Sequence, residues 1–262
     1  MKKSIVFSFL ILICAANIFA QTATPTPAPG TYEAEKQRAD NLQKRYKDFA
    51  NLSRYRDANK QLAPPAKDEN RVVFMGDSIT DGWKLDKYFP NQPFVNRGIS
   101  GQTTPQMLLR FRPDVIDLKP KVVVILAGTN DVGGVTGATT LETIEGNLAS
   151  MAQLARANNI KVVFSSILPV SDYNTNKAGE KIIRTAQRPP AQILELNKWM
   201  KNYAAQNNLA YLDYFPAMAD DKGFLKPDIA RDGLHPNDKG YEIMKTLAED
   251  AIKMALKMKR KK

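Results

Sequence analysis

Short apolar runs alternate with longer amphipathic segments over most of the chain. The runs lie at Arg71–Met75, Pro93–Asn96, Lys121–Ala127, Lys161–Ile167 and Leu209–Leu212. The segments with helical spacing lie at Thr104–Asp117, Thr139–Asn158, Pro190–Asn207 and Asn237–Met258. The run from Val122 to Leu126 is wholly apolar, which is typical of a strand buried on both faces. The alternation predicts a parallel sheet flanked by helices, with functional residues at the carboxyl ends of the strands.

Local signals refine the predicted helices. Thr139 and Glu142 have the spacing of a capping box, so we expect a helix to begin there. Pro190 falls in the first turn of the next predicted helix, where proline is tolerated. Pro113 lies inside the segment Thr104–Asp117 and is a candidate break in that helix.

The first 62 residues differ in character from the rest. Residues 1–20 join two lysines to an apolar run and end in Ala20, which predicts a secretory signal peptide and export to the periplasm or beyond the cell. Residues 21–30 are rich in proline and threonine and predict a disordered linker. Residues 31–62 predict one amphipathic helix that packs on the domain, or binds a partner or a second copy, through the apolar stripe Ala39, Leu42, Tyr46, Phe49, Leu52 and Tyr55. Pro64 and Pro65 end it, and one catalytic domain is expected over residues 63–256.

The formal net charge of +11 invites a nucleic-acid interpretation, but the location of the charge argues against it. Five positive charges lie in the basic tail, residues 257–262, and two lie in the leader. Residues 63–256 carry a net charge of only +1. The one cysteine, Cys14, lies in the predicted leader, so the mature chain has no disulfide and no cysteine metal site. No nucleic-acid partner is expected, and no stable membrane insertion after the leader is removed.

Four polar or glycine-rich stretches follow the predicted strands or precede the last helix. They are Gly76–Ile79, Asn96–Gly101, Gly128–Asp131 and Asp232–Pro236. In the first, Ser78 stands at a strand-to-helix turn, where a serine is either a nucleophile or a helix N-cap.

The last stretch favours the nucleophile. His235 is the only histidine in the chain, and Asp232 precedes it by three residues. A serine nucleophile needs a base of this kind and an acid that fixes the imidazole tautomer. The backbone N–H of Ser78, the backbone N–H of Gly98 and the side-chain amide of Asn130 are candidate oxyanion donors. Taken singly, Gly98 could serve only a turn and Asn130 only a loop cap.

Together the four stretches resemble the conserved blocks of the SGNH (GDSL-type) hydrolases, as GDSI, NRGISG, GTND and DGLHP in the family's order. The resemblance implies a flavodoxin-like three-layer α/β/α sandwich with a five-stranded parallel sheet, to which the N-terminal helix is an addition. It also implies that Ser78 is the nucleophile, His235 the base and Asp232 its orienting acid. Ser78, Gly98 and Asn130 would then form the oxyanion hole.

The expected activity is ester hydrolysis through an acyl-enzyme, without a cofactor or a metal, because the single histidine already serves as the base. Asp77, Thr129, Asp131 and Tyr173 are candidate substrate contacts. Polar and aromatic loop residues favour a secreted esterase for short acyl groups, with acetyl esters of a small molecule or a polysaccharide, in particular a carbohydrate, as the expected substrates. A lysophospholipase or thioesterase is the first alternative. A non-catalytic envelope-binding module is the second, although no member of the triad is missing.

Overall fold

The computed structural model describes residues 29–259. The chain divides into two compact units, residues 1–43 and residues 44–262. The described part of the first unit is helical, and the second unit contains the sheet. The predicted signal peptide, residues 21–28 of the predicted linker and residues 260–262 of the basic tail lie outside the described residues, whereas Pro29 and Gly30 already belong to the first helix.

A parallel sheet of five strands forms the centre of the second unit. The strands are β1 Val72–Gly76, β2 Phe94–Gly98, β3 Val122–Leu126, β4 Lys161–Ser165 and β5 Ala210–Leu212. Their order across the sheet is β2-β1-β3-β4-β5, and every neighbouring pair is parallel. The order reverses direction at β1, so the carboxyl ends of β1, β2 and β3 meet at a topological switch point. The predicted α/β fold is confirmed.

Helices join the strands and cover both faces of the sheet. The α-helices are α1 Pro29–Lys47, α2 Arg56–Gln61, α3 Ser78–Asp81, α4 Leu85–Tyr88, α5 Thr104–Asp114, α6 Thr129–Val132, α7 Leu141–Ala157, α8 Pro190–Asn207, α9 Phe215–Met218 and α10 Asp238–Lys257. Two short 3-10 helices lie at Ile116–Leu118 and Pro227–Ile229. Within residues 29–259, no helix is both long enough and apolar enough to cross a membrane.

The two faces of the sheet carry separate cores, because successive side chains of a strand point to opposite faces. Val73 and Met75 of β1 pack in a core that includes apolar side chains of α5, α7 and α8. Val72 and Phe74 of the same strand pack in the other core with Tyr241 and its neighbours on α10. Every residue of β1 and β3 is buried, which explains their uniformly apolar sequences.

The predicted single helix over residues 31–62 is wrong, because the chain turns between α1 and α2. The carboxylate of Asp48 accepts the N–H groups of Leu52 at 2.7 Å and Ser53 at 3.0 Å, and Asn51 has a positive φ of 53°. An aspartate side chain that binds nearby backbone donors competes with the helix in this way. In the second unit most of the predicted apolar stripe is exposed, since Tyr46 is 88% exposed, Phe49 45% and Leu52 43%, whereas Tyr55 is partly buried.

Two smaller expectations about helix ends also need correction. α7 begins at Leu141, and its N-cap is Thr140, whose hydroxyl accepts the Thr143 N–H at 3.3 Å. The cap therefore lies one residue after the predicted Thr139, and Thr143 takes the position predicted for Glu142. Pro113 does not break α5, which ends one residue later at Asp114. The remainder of that predicted helix is the 3-10 turn Ile116–Leu118.

Candidate active site

Ser78 lies at a sharp turn between β1 and α3. Asp77 takes the N-cap position, with its Oδ1 accepting the Ile79 N–H at 2.9 Å, so the cap predicted as an alternative for Ser78 belongs to its neighbour. A Cβ at Gly76 would lie 2.8 Å from the Leu126 carbonyl oxygen and would overlap Thr80, so only glycine fits there. Ser78 is the first residue of α3, where backbone N–H groups have no partner within the helix.

His235 and Asp232 come from the loop that precedes α10, and a hydrogen-bonded chain connects them to Ser78. The Oγ of Ser78 lies 2.9 Å from His235 Nε2, and His235 Nδ1 lies 2.9 Å from Asp232 Oδ2. Asp232 Oδ1 also accepts the backbone N–H groups of Leu234 at 3.2 Å and His235 at 2.9 Å. An ionised carboxylate can only accept, so it places the imidazole proton on Nδ1 and leaves Nε2 free to accept from Ser78.

Arg184, which was not predicted from the sequence, contacts the candidate acid Asp232. Its Nη2 donates to Asp232 Oδ2 at 2.7 Å, and its Nε donates to the Asp232 carbonyl at 3.1 Å. Burial by itself would raise the pKa of the Asp232 carboxyl. The hydrogen bonds from His235 and the nearby charge of Arg184 outweigh burial and hold that pKa well below its usual range. Asp232 is therefore ionised wherever the imidazole is a working base.

The candidate oxyanion donors differ in the hydrogen bonds that they already make. Asn130 is buried at the start of α6, where its Nδ2 donates to the Gln102 carbonyl at 3.0 Å and retains a second hydrogen. Gly98 ends β2, and its N–H donates to Asn96 Oδ1 at 2.8 Å. A Cβ at Gly98 would overlap the backbone of Asp81 in α3, so the glycine also permits a close approach. Any oxyanion would have to share the Gly98 N–H with Asn96.

The four candidate substrate contacts lie in different surroundings. Asp77 and Thr129 are buried, and Asp77 Oδ2 and Thr129 Oγ1 have no hydrogen-bond partner among the described residues. Burial raises the pKa of Asp77 to about 6. The carboxylate of Asp131 accepts the Thr104 N–H at 2.9 Å and the Thr104 hydroxyl at 2.6 Å, and so faces the start of α5. Tyr173 is a half-exposed loop residue whose hydroxyl donates to Asp220 at 2.9 Å.

An open cleft of ≈ 410 Å³ gives solvent access to the serine. Its lining consists of Ser78, Asp81, Gly82, Ser100, Arg231, Asp232 and His235. A larger groove of ≈ 710 Å³ shares Ser100 with the cleft and has Phe49, Ile99 and Val135 among its lining residues. Within residues 29–259, no cluster of three histidine, cysteine or acidic side chains has the arrangement of a metal site.

Residues 74–243 match the GDSL-like Lipase/Acylhydrolase family, so the chain belongs to this family. It is 44% identical to the crystal structure of a GDSL-like lipase from Bacteroides thetaiotaomicron, with a TM-score of 0.72 over 79% of this chain and 99% of that one. It is also 33% identical to the uncharacterized lipoprotein YqeF of Bacillus subtilis over 39% of this chain and 50% of that protein. An acetylxylan esterase of Xylanibacter ruminicola is 27% identical over 74% of this chain and 45% of that protein.

The chain thus spans about half the length of these two curated relatives. The SGNH (GDSL-type) family predicted from the four sequence blocks is confirmed. The matched family is one of lipases and acylhydrolases, which act on carboxylic esters.

Proposed function

We propose that the protein is an exported serine esterase that removes short acyl groups, in particular acetyl groups, from a carbohydrate. The observation that carries the proposal is the hydrogen-bonded chain Ser78–His235–Asp232 at the bottom of a polar cleft. Every residue that lines this cleft is polar, charged or glycine. A long acyl chain needs apolar walls, whereas a short acyl group on a sugar does not.

The proposed reaction is a two-step acyl transfer that uses these side chains in turn. His235 Nε2 takes the proton of Ser78 Oγ as that oxygen attacks the ester carbonyl, and Asp232 stabilises the imidazolium. The carbonyl oxygen becomes an oxyanion that accepts from the Ser78 N–H and the second Nδ2 hydrogen of Asn130, and from the Gly98 N–H where Asn96 shares it. The imidazolium then protonates the leaving alcohol. Water repeats these steps on the acyl-serine and releases the acid and the free enzyme.

Support for a carbohydrate substrate comes from the acetylxylan esterase relative and from the polar residues Asp81, Ser100 and Arg231 around the cleft. Support for export comes from the predicted signal peptide, residues 1–20, and from the relative that is a lipoprotein. A second candidate function, a lysophospholipase or thioesterase, is favoured by one observation. The neighbouring groove offers Phe49, Ile99 and Val135 as apolar surface for a longer acyl chain.

A panel of 4-nitrophenyl esters from acetate to dodecanoate, together with acetylated xylan, tests these proposals. We expect the highest kcat/KM on acetate, release of acetate from the polysaccharide, and loss of both activities in Ser78→Ala. Equal rates for the wild type and Ser78→Ala would refute serine catalysis. A maximum at the long esters, lowered by Phe49→Ala while acetate hydrolysis is unchanged, would instead establish the lipid alternative.

A further inference from the structure

The turn formed by residues 184–188 contributes an arginine to each side of the candidate active site. We call it the arginine turn. Arg184 donates to Asp232, as described above, and Arg188 Nη2 donates to Asn130 Oδ1 at 3.3 Å. We propose that the arginine turn is a positioning element, in which Arg184 holds the acid Asp232 and Arg188 holds the oxyanion donor Asn130. The proposal rests on the proposed function, because it takes Asn130 to be a donor to the reacting oxygen.

The orientation of the Asn130 amide is the central argument. One side of this amide faces Arg188, which can only donate, and the other faces the Gln102 carbonyl, which can only accept. These two partners fix Oδ1 toward Arg188 and Nδ2 toward Gln102. If the amide flipped, both contacts would be repulsive. Arg188 therefore keeps the second Nδ2 hydrogen directed away from itself and available to the oxyanion.

Burial shows that Arg188 is not an ordinary surface arginine. Its side chain is 6% exposed, and its Nε has no hydrogen-bond partner among the described residues. The guanidinium packs against the backbone of Gly133, where a Cβ would lie 2.9 Å from Arg188 Cζ and 3.0 Å from Nη2. Burial lowers the pKa of Arg188, while the nearby carboxylates Asp77 and Asp232 oppose this effect. Burying a charged guanidinium costs free energy, so its presence next to the candidate active site favours a role there.

The turn that carries both arginines is itself held in place. The Arg188 N–H donates to the Arg184 carbonyl at 2.9 Å, which closes the turn. The carboxylate of Asp172 accepts the Arg184 N–H at 2.6 Å, the Thr185 N–H at 3.0 Å and the Thr185 hydroxyl at 2.6 Å. The backbone that carries the two arginines is thus a closed, hydrogen-bonded turn.

A double-mutant cycle on 4-nitrophenyl acetate tests the Arg188 half. Arg188→Met keeps the length of the aliphatic stem, and we expect it to lower kcat about 10-fold with little change in KM, because Asn130 loses its orientation. In an Asn130→Ala background the same change should lower kcat by less than about 2-fold, since no donor remains to be positioned. Arg156→Met, at an exposed site on α7, is the matched control and should leave kcat unchanged.

Gly133→Ala disturbs Arg188 in a second way, which keeps the positive charge of its guanidinium. Gly133 has a φ of −74°, so alanine is allowed in the backbone, but the new methyl group displaces the Arg188 guanidinium. We expect a loss of kcat similar to that of Arg188→Met, again suppressed by Asn130→Ala. Arg188→Lys should recover part of the rate, because an ammonium can still donate to Oδ1. These two variants decide the matter if Arg188→Met does not fold, which thermal unfolding will show.

The Arg184 half is tested by the parallel cycle of Arg184→Met with Asp232→Asn. We expect about a 10-fold loss of kcat in the wild type and less than about 2-fold in the Asp232→Asn background. The inference is wrong if, in either cycle, the double variant loses kcat by the product of the two single-variant losses. It is also wrong if kcat is unchanged in both Arg188→Met and Gly133→Ala. In both cases Ser78→Ala would still be inactive, so the proposed esterase would stand. Equal activity of Ser78→Ala and the wild type would refute the esterase itself.

Discussion

Ser78 and Asn130 lie just beyond the carboxyl ends of the buried strands β1 and β3. Asp232 and His235 lie instead on a loop between a 3-10 helix and α10. Ser78 is held by the backbone, since it begins α3 directly after the close approach at Gly76. Asn130, in the first turn of α6, is held by hydrogen bonds to the Gln102 carbonyl and from Arg188. Asp232 and His235 are about one quarter to one third exposed and are held by charged hydrogen bonds, from Arg184 and between each other. The comparison indicates that sterics position the proposed nucleophile, whereas hydrogen bonds, several of them charged, position the other three side chains.

The largest effect is expected at Asp232, which is held by charged hydrogen bonds. Asp232→Asn keeps the shape of the side chain but replaces one acceptor oxygen with a donor, so the imidazole adopts the wrong tautomer. We expect kcat to fall about 10⁴-fold. The variant should still unfold cooperatively, with a lowered midpoint, because the native state loses the charged partner of Arg184. Asp228→Asn, an exposed acid in the preceding 3-10 helix, is the control and should retain the rate. A loss below 10-fold for Asp232→Asn would mean that another group orients His235.

A smaller effect is expected when one proposed oxyanion donor is removed. Asn130→Ala should lower kcat by about 10² to 10³-fold, because a preorganised donor to the developing negative charge is lost. Substrate binding should change little, so the loss should appear in kcat and not in KM. An unchanged kcat would remove Asn130 from the oxyanion hole.

The smallest effect concerns stability and comes from the buried Asp77. Its folded pKa of about 6 lies above the ordinary value of 3.8, so the native state binds the proton more tightly than the unfolded chain. The stabilisation from this group is therefore complete at low pH and is lost as the pH rises from about 4 to about 6. Asp77→Asn retains an acceptor for the Ile79 N–H. We expect its stability relative to wild type to increase over this pH range, by at most ~3 kcal/mol at pH 7.

Urea unfolding of both proteins at pH 4 and pH 7 measures this difference. The depressed pKa of Asp232 also makes stability depend on pH, in the opposite direction, but it is common to both proteins and cancels in the comparison. A difference in stability that is the same at the two pH values would show that folding does not raise the pKa of Asp77.

The features that could be predicted from the sequence are those that leave a pattern in residues close together in the chain. The five strands lie within two residues of the apolar runs, because burial on both faces leaves a strong local pattern. The partners of Ser78 were predicted because each stands in a short motif with an evident chemical role. Arg184 and Arg188 were missed because their targets are 48 and 58 residues away, and the chain around them looks like an ordinary polar loop.

The break between α1 and α2 was also not predicted from the sequence, but for a different reason. Its cause is local, since Asp48 binds the N–H groups of Leu52 and Ser53, and the stretch from Asp48 to Ser53 contains an asparagine in the left-handed conformation. The apolar spacing of three and four continues through this turn and hides it. An aspartate followed closely by asparagine and serine was the available signal, and it outweighed helical periodicity.

Residues 48–62 lie before the family match, which begins at residue 74. They nevertheless contact residues on the oxyanion side of the candidate site. Tyr55 donates its hydroxyl to the Gly98 carbonyl, and Gln102 donates to the Ala50 carbonyl at 2.7 Å. The Asn59 amide donates to Asp114 at 2.7 Å. This segment therefore belongs to the folded enzyme, whatever the role of the helix before it.

The single histidine gives this protein an unusual experimental advantage. A chain of 262 residues with one imidazole yields one pair of ring-proton resonances, and that ring bridges Ser78 and Asp232. Prepared without a histidine tag, the protein carries its own magnetic probe of the proposed catalytic centre. Each protonation, acylation or ligand-binding event at the serine can then be followed in the native enzyme, without isotope labelling of selected sites or an attached dye.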